Sequence, residues 1–197
     1  MIDTLYDKFK SWSATGSCYI ISDTHFGDSD CKLMDSDWPT PQEHIDKIKK
    51  KVHKNDTLIH LGDVGNPEWM TQIKAHKVLI MGNHDTGAIN YGKSTIISQD
   101  RNRKIVTYFD EIYTGPLFIA EKILLSHEPI INDMWYNIHG HVHDCSIFDP
   151  YNATNLASNV VGYDVVNLKD IIKSGCLKSI KSIHRTTIDN ATERKRG

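Results

Sequence analysis

Three short apolar runs constrain this chain more than anything else in it: Cys18-Tyr19-Ile20-Ile21-Ser22, Thr57-Leu58-Ile59-His60-Leu61 and Lys77-Val78-Leu79-Ile80-Met81. Each is too short for a helix that buries itself and reads as a strand; the third, continuous and rich in Val and Ile, reads as one buried on both faces. Each also ends on residues that carry chemistry. The first gives way to Asp23-Thr24-His25, the second to Gly62-Asp63 and the third to Gly82-Asn83-His84-Asp85.

The segments between the runs read as helices. Thr40-Pro41-Gln42-Glu43 has the capping-box spacing with proline at the first helical position. Ile45, Ile48 and Val52 then form one apolar face, with lysines 47, 49, 50, 51 and 54 largely turned to water. Asn66-Pro67-Glu68 predicts a second helix start, with Trp69 and Ile73 one turn apart. Strand, helix, strand, helix, strand is the order of a parallel α/β sheet, in which the carboxyl ends of the strands line the ligand crevice. Asp23 with His25, Asp63, and Asn83 with His84 therefore converge. In extended backbone, Asp23 and His25 project to one side. Asn83 offers a neutral amide oxygen to a cation, and His84 beside Asp85 forms an imidazole and carboxylate pair. Asn and Asp also make ordinary turns, so it is their convergence, and not any one residue, that points to a site.

Beyond Asp85 the pattern changes to short strands at Lys104 to Tyr108, Pro116 to Ala120 and Ile123 to Leu125, the last two joined as a hairpin that delivers Ser126-His127. Asn137-Ile138 leads into His139-Gly140-His141-Val142-His143, where alternation points the three histidines one way if the backbone stays extended. Asn159 to Val166 reads as a further strand. A final helix starts at Asn167 with Leu168, Ile171 and Ile172 inward, and stops at Gly175. At the other end, Leu5, Phe9 and Trp12 would share one face of a helix spanning Asp3 to Trp12, and residues 190–197 read as a frayed tail. His60 reads as structural, His139 as a strand-end residue, and His44, His53, His76 and His184 stand outside any motif.

The chain of 197 residues is expected to form a single domain. Its net charge of -2 favours no polyanionic partner, and the lysine-rich helix with the basic tail supports nucleic-acid binding only weakly. No apolar run approaches the ~20 residues of a membrane span. The first residues lack the basic-then-apolar order of a secretory signal, which sets a cytoplasmic expectation. Cys18, Cys31, Cys145 and Cys176 lie far apart and read as reduced packing residues.

Taken in order, Asp-x-His, Gly-Asp, Gly-Asn-His-Asp, Ser-His and Gly-His-x-His, spanning Asp23 to His143, resemble the calcineurin-like metallophosphoesterases, and the closing segment resembles their small bacterial and phage phosphodiesterases. The resemblance implies an α/β fold in the form of a two-sheet α/β/β/α sandwich. It implies that Asp23, His25 and His143 hold one divalent metal, that Asn83, His127 and His141 hold another, and that Asp63 bridges them. Nitrogen and oxygen donors without thiolate suit manganese, iron, zinc or nickel. On the same resemblance, a metal-bridging hydroxide attacks in line, His84 acts as general acid, and Asp85 holds the His84 imidazole in its tautomer.

The chain departs from the serine/threonine protein phosphatases of that family, having Gly62-Asp63-Val64-Gly65-Asn66 in place of Gly-Asp-x-x-Asp-Arg-Gly and ending its later motif in Asp85 where they have Glu. With no long insertion between motifs, an open groove and a small phosphate-ester or nucleotide substrate are expected, diesters ahead of monoesters. A phosphomonoesterase or nuclease on the same site is the alternative. A non-catalytic interaction protein of the same fold is another, and His84 argues against it.

Overall fold

The computed structural model describes residues 3–4, 10, 12, 14–85, 95–97, 104–106, 108–143 and 151–181. The first half runs β1 (Asp3–Thr4), β2 (Cys18–Ile21), α1 (Cys31–Met34), α2 (Pro41–Lys51), β3 (Thr57–His60), a 3-10 helix (Pro67–Gln72) and β4 (His76–Ile80). The second half runs β5 (Thr95–Ile97), β6 (Lys104–Val106), β7 (Glu111–Tyr113), β8 (Leu117–Ala120), β9 (Ile123–Leu125), β10 (Tyr136–His139), β11 (Ala153–Asn155), β12 (Val166–Asn167) and α3 (Leu168–Lys173).

Two mixed sheets result, ordered β12-β2-β3-β4-β7 and β1-β8-β9-β10-β11, with β5 and β6 pairing separately. The expected parallel core is present: β2, β3, β4 and β7 are mutually parallel neighbours, and β12 closes one edge antiparallel to β2. The apolar runs are continuous because both faces are covered. Ile20, Ile59 and Val78 pack in one cluster with Ile119, Leu125 and Ile138 of the second sheet. Their neighbours Ile21, Leu58 and Leu79 pack the other way, on Ile45 and Ile48 of α2 and Met70 of the 3-10 helix. Helices flank the sheets, and the whole is the expected α/β sandwich. Each fully buried Leu or Ile contributes about 1.5–3 kcal/mol.

Local signals explain the helix starts. Thr40 accepts from the Glu43 N–H while the Glu43 side chain takes the Thr40 N–H, so the capping box closes. Asn66 caps its segment through the Glu68 N–H, but the turn is 3-10. The β8–β9 hairpin forms as expected, with a register shift between Phe118 and Ala120.

Other expectations are corrected. Asp3–Thr4 is not helical but an edge strand parallel to β8; Lys10 and Trp12 are helical, and Leu5 and Phe9 lie outside the described residues. The strand expected over Asn159 to Val166 shrinks to Val166–Asn167, because residues 158–162 turn and Gly162 and Tyr163 both adopt positive φ. Ile172 is 38% exposed, unlike its buried neighbour Leu168. β7 and β11 carry no apolar run of their own that would announce them. Residues 101–103, Thr107, Cys145 and the tail 190–197 lie outside the described residues. Among those described, no helix is long and apolar enough to cross a membrane.

Thr40→Ala removes an acceptor from a helix N-terminus. It is expected to cost about 1 kcal/mol, read as a lower urea midpoint with an unchanged slope.

Candidate metal centre

The sequence-predicted site residues all follow strand ends: Asp23 and His25 after β2, Asp63 after β3, Asn83 to Asp85 after β4, His127 after β9, and His141 and His143 after β10. Extended alternation is not what assembles them. Asp23 (φ 55), His25 (φ 40), Asp63 (φ 57) and His141 (φ 67) all sit in left-handed backbone. Non-glycine residues held there cost of order 1–3 kcal/mol each, and such strain persists only where surrounding contacts impose it.

Those contacts are visible. The Asp23 N–H donates to Gly62 O, His25 N–H to Asp63 O and Phe26 N–H to Val64 O, lacing the first loop to the second. The second loop meets the third so closely that a Cβ on Gly82 would fall 2.2 Å from Asp63 Oδ1. The histidine loop meets the first in the same way: a Cβ on Gly140 would fall 2.0 Å from Ser22 Oγ, and the His141 N–H donates to Asp23 Oδ2. The glycines of these motifs are needed for close approach.

Three groups of possible ligands form among the described residues; one, His25 with Asp28 and Cys31, lies off the expected set, and the other two are built from expected residues. Donor atoms of Asp23, His25 and His143 lie within 4.8 Å of one another, and so do those of Asp63, His127 and His141. Asn83 Oδ1 joins the second group, 2.9 Å from His127 Nε2. Asp63 Oδ2 is 3.3 Å from His127 Nε2 and 3.9 Å from His25 Nε2, placing one carboxylate oxygen between the groups.

The donor set fits cations. His127 Nδ1 donates to Leu61 O at 2.8 Å, because a carbonyl only accepts; neutral His127 then turns its Nε2 lone pair toward Asp63, Asn83 and His141, all within 3.3 Å. His143 Nδ1 donates to Asn159 Oδ1, leaving Nε2 facing Asp23 Oδ1 at 3.6 Å. That Asp23 oxygen is fully buried without a hydrogen-bond partner. Lone pairs crowded in this way repel unless positive charge sits among them. Burial works to raise the Asp63 carboxyl, but hydrogen bonds from His127 and the His84 N–H outweigh it and hold it at about 2. Burial likewise opposes the charged form of His127. Its hydrogen bond to Asp63 and the charges of Asp23 and Asp63 win, so the imidazole titrates above its ordinary value.

His84 stands exposed at the rim, its ring centroid 5.6 Å from that of His25. Asp85 does not serve it. The buried Asp85 carboxylate accepts three backbone N–H groups, from Asp63 (2.8 Å), Val64 (3.1 Å) and Gly82 (2.8 Å). The expected role of holding the His84 imidazole is therefore replaced by that of pinning two site loops together.

His60 and His139 lie outside the ligand groups. His60 Nδ1 accepts from the Gly62 N–H, so its Nε2 donates to Thr24 Oγ1, which in turn donates to Val64 O; burial pushes this imidazole down to about 3. His139 Nδ1 donates to Gly140 O. Two supporting residues escaped the sequence reading. Asn159 donates to His143 O while accepting from its ring, and the buried Asn137 accepts from the Ile130 N–H and donates to Ser126, framing the His127 turn. β10 reads Tyr136-Asn137-Ile138-His139, with no apolar run to make its asparagine conspicuous, and nothing local marked Asn159 either.

The model of the calcineurin-like phosphoesterase family matches residues 17–173. The chain belongs to that family. Among solved structures, the Aquifex aeolicus protein AQ665, of unknown function, shares 25% identity at a TM-score of 0.60, over 80% of this chain and 98% of its own. The Pseudomonas putida nuclease MPE aligns at 22% identity and a TM-score of 0.43, over 64% of this chain and 61% of its own. No curated protein matches the sequence.

Two outcomes follow for this phosphoesterase. Asp85→Asn keeps the shape but turns an N–H donor toward one of the three backbone donors, so stability is expected to drop by roughly 1–3 kcal/mol. Divalent-metal affinity should fall with it, while the alkaline limb of the pH-rate profile stays in place. A shifted limb without lost stability would return Asp85 to His84. Secondly, because His127 in metal-free protein holds a proton at Nε2 until pH passes its raised pKa, metal and proton compete for that atom. Manganese affinity is expected to weaken as pH falls below that raised pKa, by about tenfold per unit for each proton displaced. Calorimetry in buffers of different ionisation enthalpy should detect the released proton; a pH-independent affinity would contradict the competition.

Proposed function

We propose that the protein is a phosphodiesterase using two divalent cations, with His84 as its general acid. The observation that carries this reading is the pair of nitrogen and oxygen ligand groups sharing Asp63, with the exposed His84 imidazole at their rim. Asp23, His25 and His143 would hold one cation, Asn83, His127 and His141 the other, and Asp63 both. When bound, such a pair supplies Lewis acidity toward phosphoryl oxygens and makes water nucleophilic at neutral pH.

The protein's own part is positioning and proton transfer. His84 reaches the site from the turn after β4, and its backbone N–H is tied to Asp63 Oδ1 at 2.9 Å, so the acid is indexed to the carboxylate between the groups. Its side chain meets solvent, from which it regains a proton after protonating the departing oxygen. A preference for diesters is supported by the cation inventory: selection of a monoester dianion usually calls for a bidentate arginine, and no arginine occurs before Arg101 or among the described residues.

The test compares bis-aryl and mono-aryl phosphates bearing one leaving group, with the metal fixed, in wild type and His84→Asn. The diester is expected to win on kcat/KM. His84→Asn is expected to lower kcat by roughly 10²–10⁴-fold with two equivalents of metal retained by elemental analysis. Loss of metal in that variant would make His84 a ligand, and a monoester advantage removed by Arg101→Ala or Arg103→Ala would reverse the substrate assignment.

A further inference from the structure

The third ligand group, His25 with Asp28 and Cys31, is the one that the proposed function leaves unused. Its donor atoms lie within 4.8 Å of one another and include a thiol, which the two groups sharing Asp63 lack. One loop builds it. After β2 the chain turns through Gly27 (φ 84), the Asp28 N–H donates to His25 O, and Cys31 stands at the start of α1.

Each donor is available. The two nitrogens of His25 face different ways: Nε2 lies 3.9 Å from Asp63 Oδ2, inside the metal centre, and Nδ1 lies 3.9 Å from Asp28 Oδ2, outside it. Asp28 Oδ1 accepts from the Asp30 N–H, which steadies the carboxylate and leaves Oδ2 on the His25 side. Cys31 is 4% exposed and free of any disulfide, and its thiol makes no hydrogen bond among the described residues. It packs with Trp38 and Tyr163. A small apolar residue would serve that packing without setting a thiol beside an imidazole and a carboxylate. Tetrahedral zinc holds sulfur at about 2.3 Å and nitrogen or oxygen at about 2.0–2.2 Å, so its donors stand roughly 3.3–3.7 Å apart. The separation of His25 from Asp28 is already close to that, and the Asp28 side chain, 47% exposed, has room to close the rest. It also gives an ion entry from solvent, next to a cavity of about 240 Å³ that His25 and Asp28 help to line.

We propose that His25 Nδ1, Asp28 and Cys31 form a separate site for a thiophilic divalent cation such as zinc or cadmium, and that filling it competes with the cation held by Asp23, His25 and His143. The competition rests on the two-cation reading above. A neutral imidazole has one lone pair. While Nε2 serves the metal centre, the proton sits on Nδ1 and faces Asp28. When Nδ1 takes the thiophilic ion, the proton stands on Nε2 and points at Asp63, and the Asp23 and His143 position loses a ligand. Thiolate selects zinc-like ions, whereas carboxylate and imidazole alone accept manganese, so excess zinc reaches a site that manganese does not. In the metal-free protein, burial and the charges of Asp28 and Asp30 push the Cys31 thiol up to about 12, so binding releases its proton. The same two carboxylates favour a cation beside it.

The experiment titrates the full chain, stripped of metal, with cadmium chloride and follows the ultraviolet cadmium–thiolate charge-transfer band, which nitrogen and oxygen donors do not produce. Wild type is expected to develop the band to the intensity of one thiolate, and Cys31→Ser to lose it. Asp28→Asn, which still accepts from the Asp30 N–H through its amide oxygen, is expected to weaken the affinity at least about tenfold, the lower end of what removing a partner that merely orients a ligand costs. His143→Ala disables the competing position and is expected to lower the cadmium concentration at half-saturation. A band that survives in Cys31→Ser, or an affinity unchanged in Asp28→Asn, overturns the site; the second variant decides alone if the first does not fold. Half-saturation unmoved by His143→Ala, in a protein that binds two equivalents of manganese by elemental analysis, overturns the competition and leaves the two-cation reading intact. Absence of bound manganese in wild type overturns that reading instead, and the band still decides the thiolate site.

Discussion

The arrangement at the top of the first sheet depends on one carboxylate. Asp85 draws the N–H groups of Asp63, Val64 and Gly82 onto two oxygens, so the loops after β3 and β4 are held at a fixed separation although no strand pairing reaches them. Charge-assisted bonds from backbone donors are among the stronger hydrogen bonds available, and burial shields them from competing water. With that anchor in place, Asp63 can be kept in left-handed backbone with Oδ2 directed between two histidine groups.

The site so assembled concentrates electron pairs. Asp23 and Asp63 are buried, and the imidazoles around them are oriented by carbonyl and amide acceptors that leave the other nitrogen facing inward. A protein can tolerate such a cluster in two ways, by taking up protons or by taking up cations. The raised His127 and the depressed Asp63 are two sides of the first solution. Metal binding is the second, and because the same atoms serve both, metal affinity and proton affinity are linked.

Around this centre lies a shell of hydrogen-bonded polar groups. His60 is satisfied by Gly62 and Thr24, Thr24 by Val64, Asn137 by Leu124, Ser126 and Ile130, and Asn159 by both ends of His143. Buried polar networks that are fully paired fix geometry, which is what orienting a ligand requires. His44 breaks the pattern. It is as deeply buried as His60 yet has no partner for either nitrogen, and it lies on the wall of the cavity beside His25.

The sequence by itself determined the strand ends and which side chains stand there. Apolar runs of this length must be covered on both faces, parallel strands place their carboxyl ends together, and polar residues at those ends must find partners. The capping box at Thr40 was legible because its donors and acceptors are local. The tertiary structure alone decided how the ends meet. Left-handed backbone at Asp23, His25, Asp63 and His141 replaced the extended alternation read from i and i+2 spacing, because hydrogen bonds between loops far apart in sequence outweigh the local preference. The partner of Asp85 was hidden for the same reason. Adjacency to His84 suggested one role, but a carboxylate surrounded by three unpaired N–H groups turns to them, and two of the three belong to a loop more than twenty residues away in the chain.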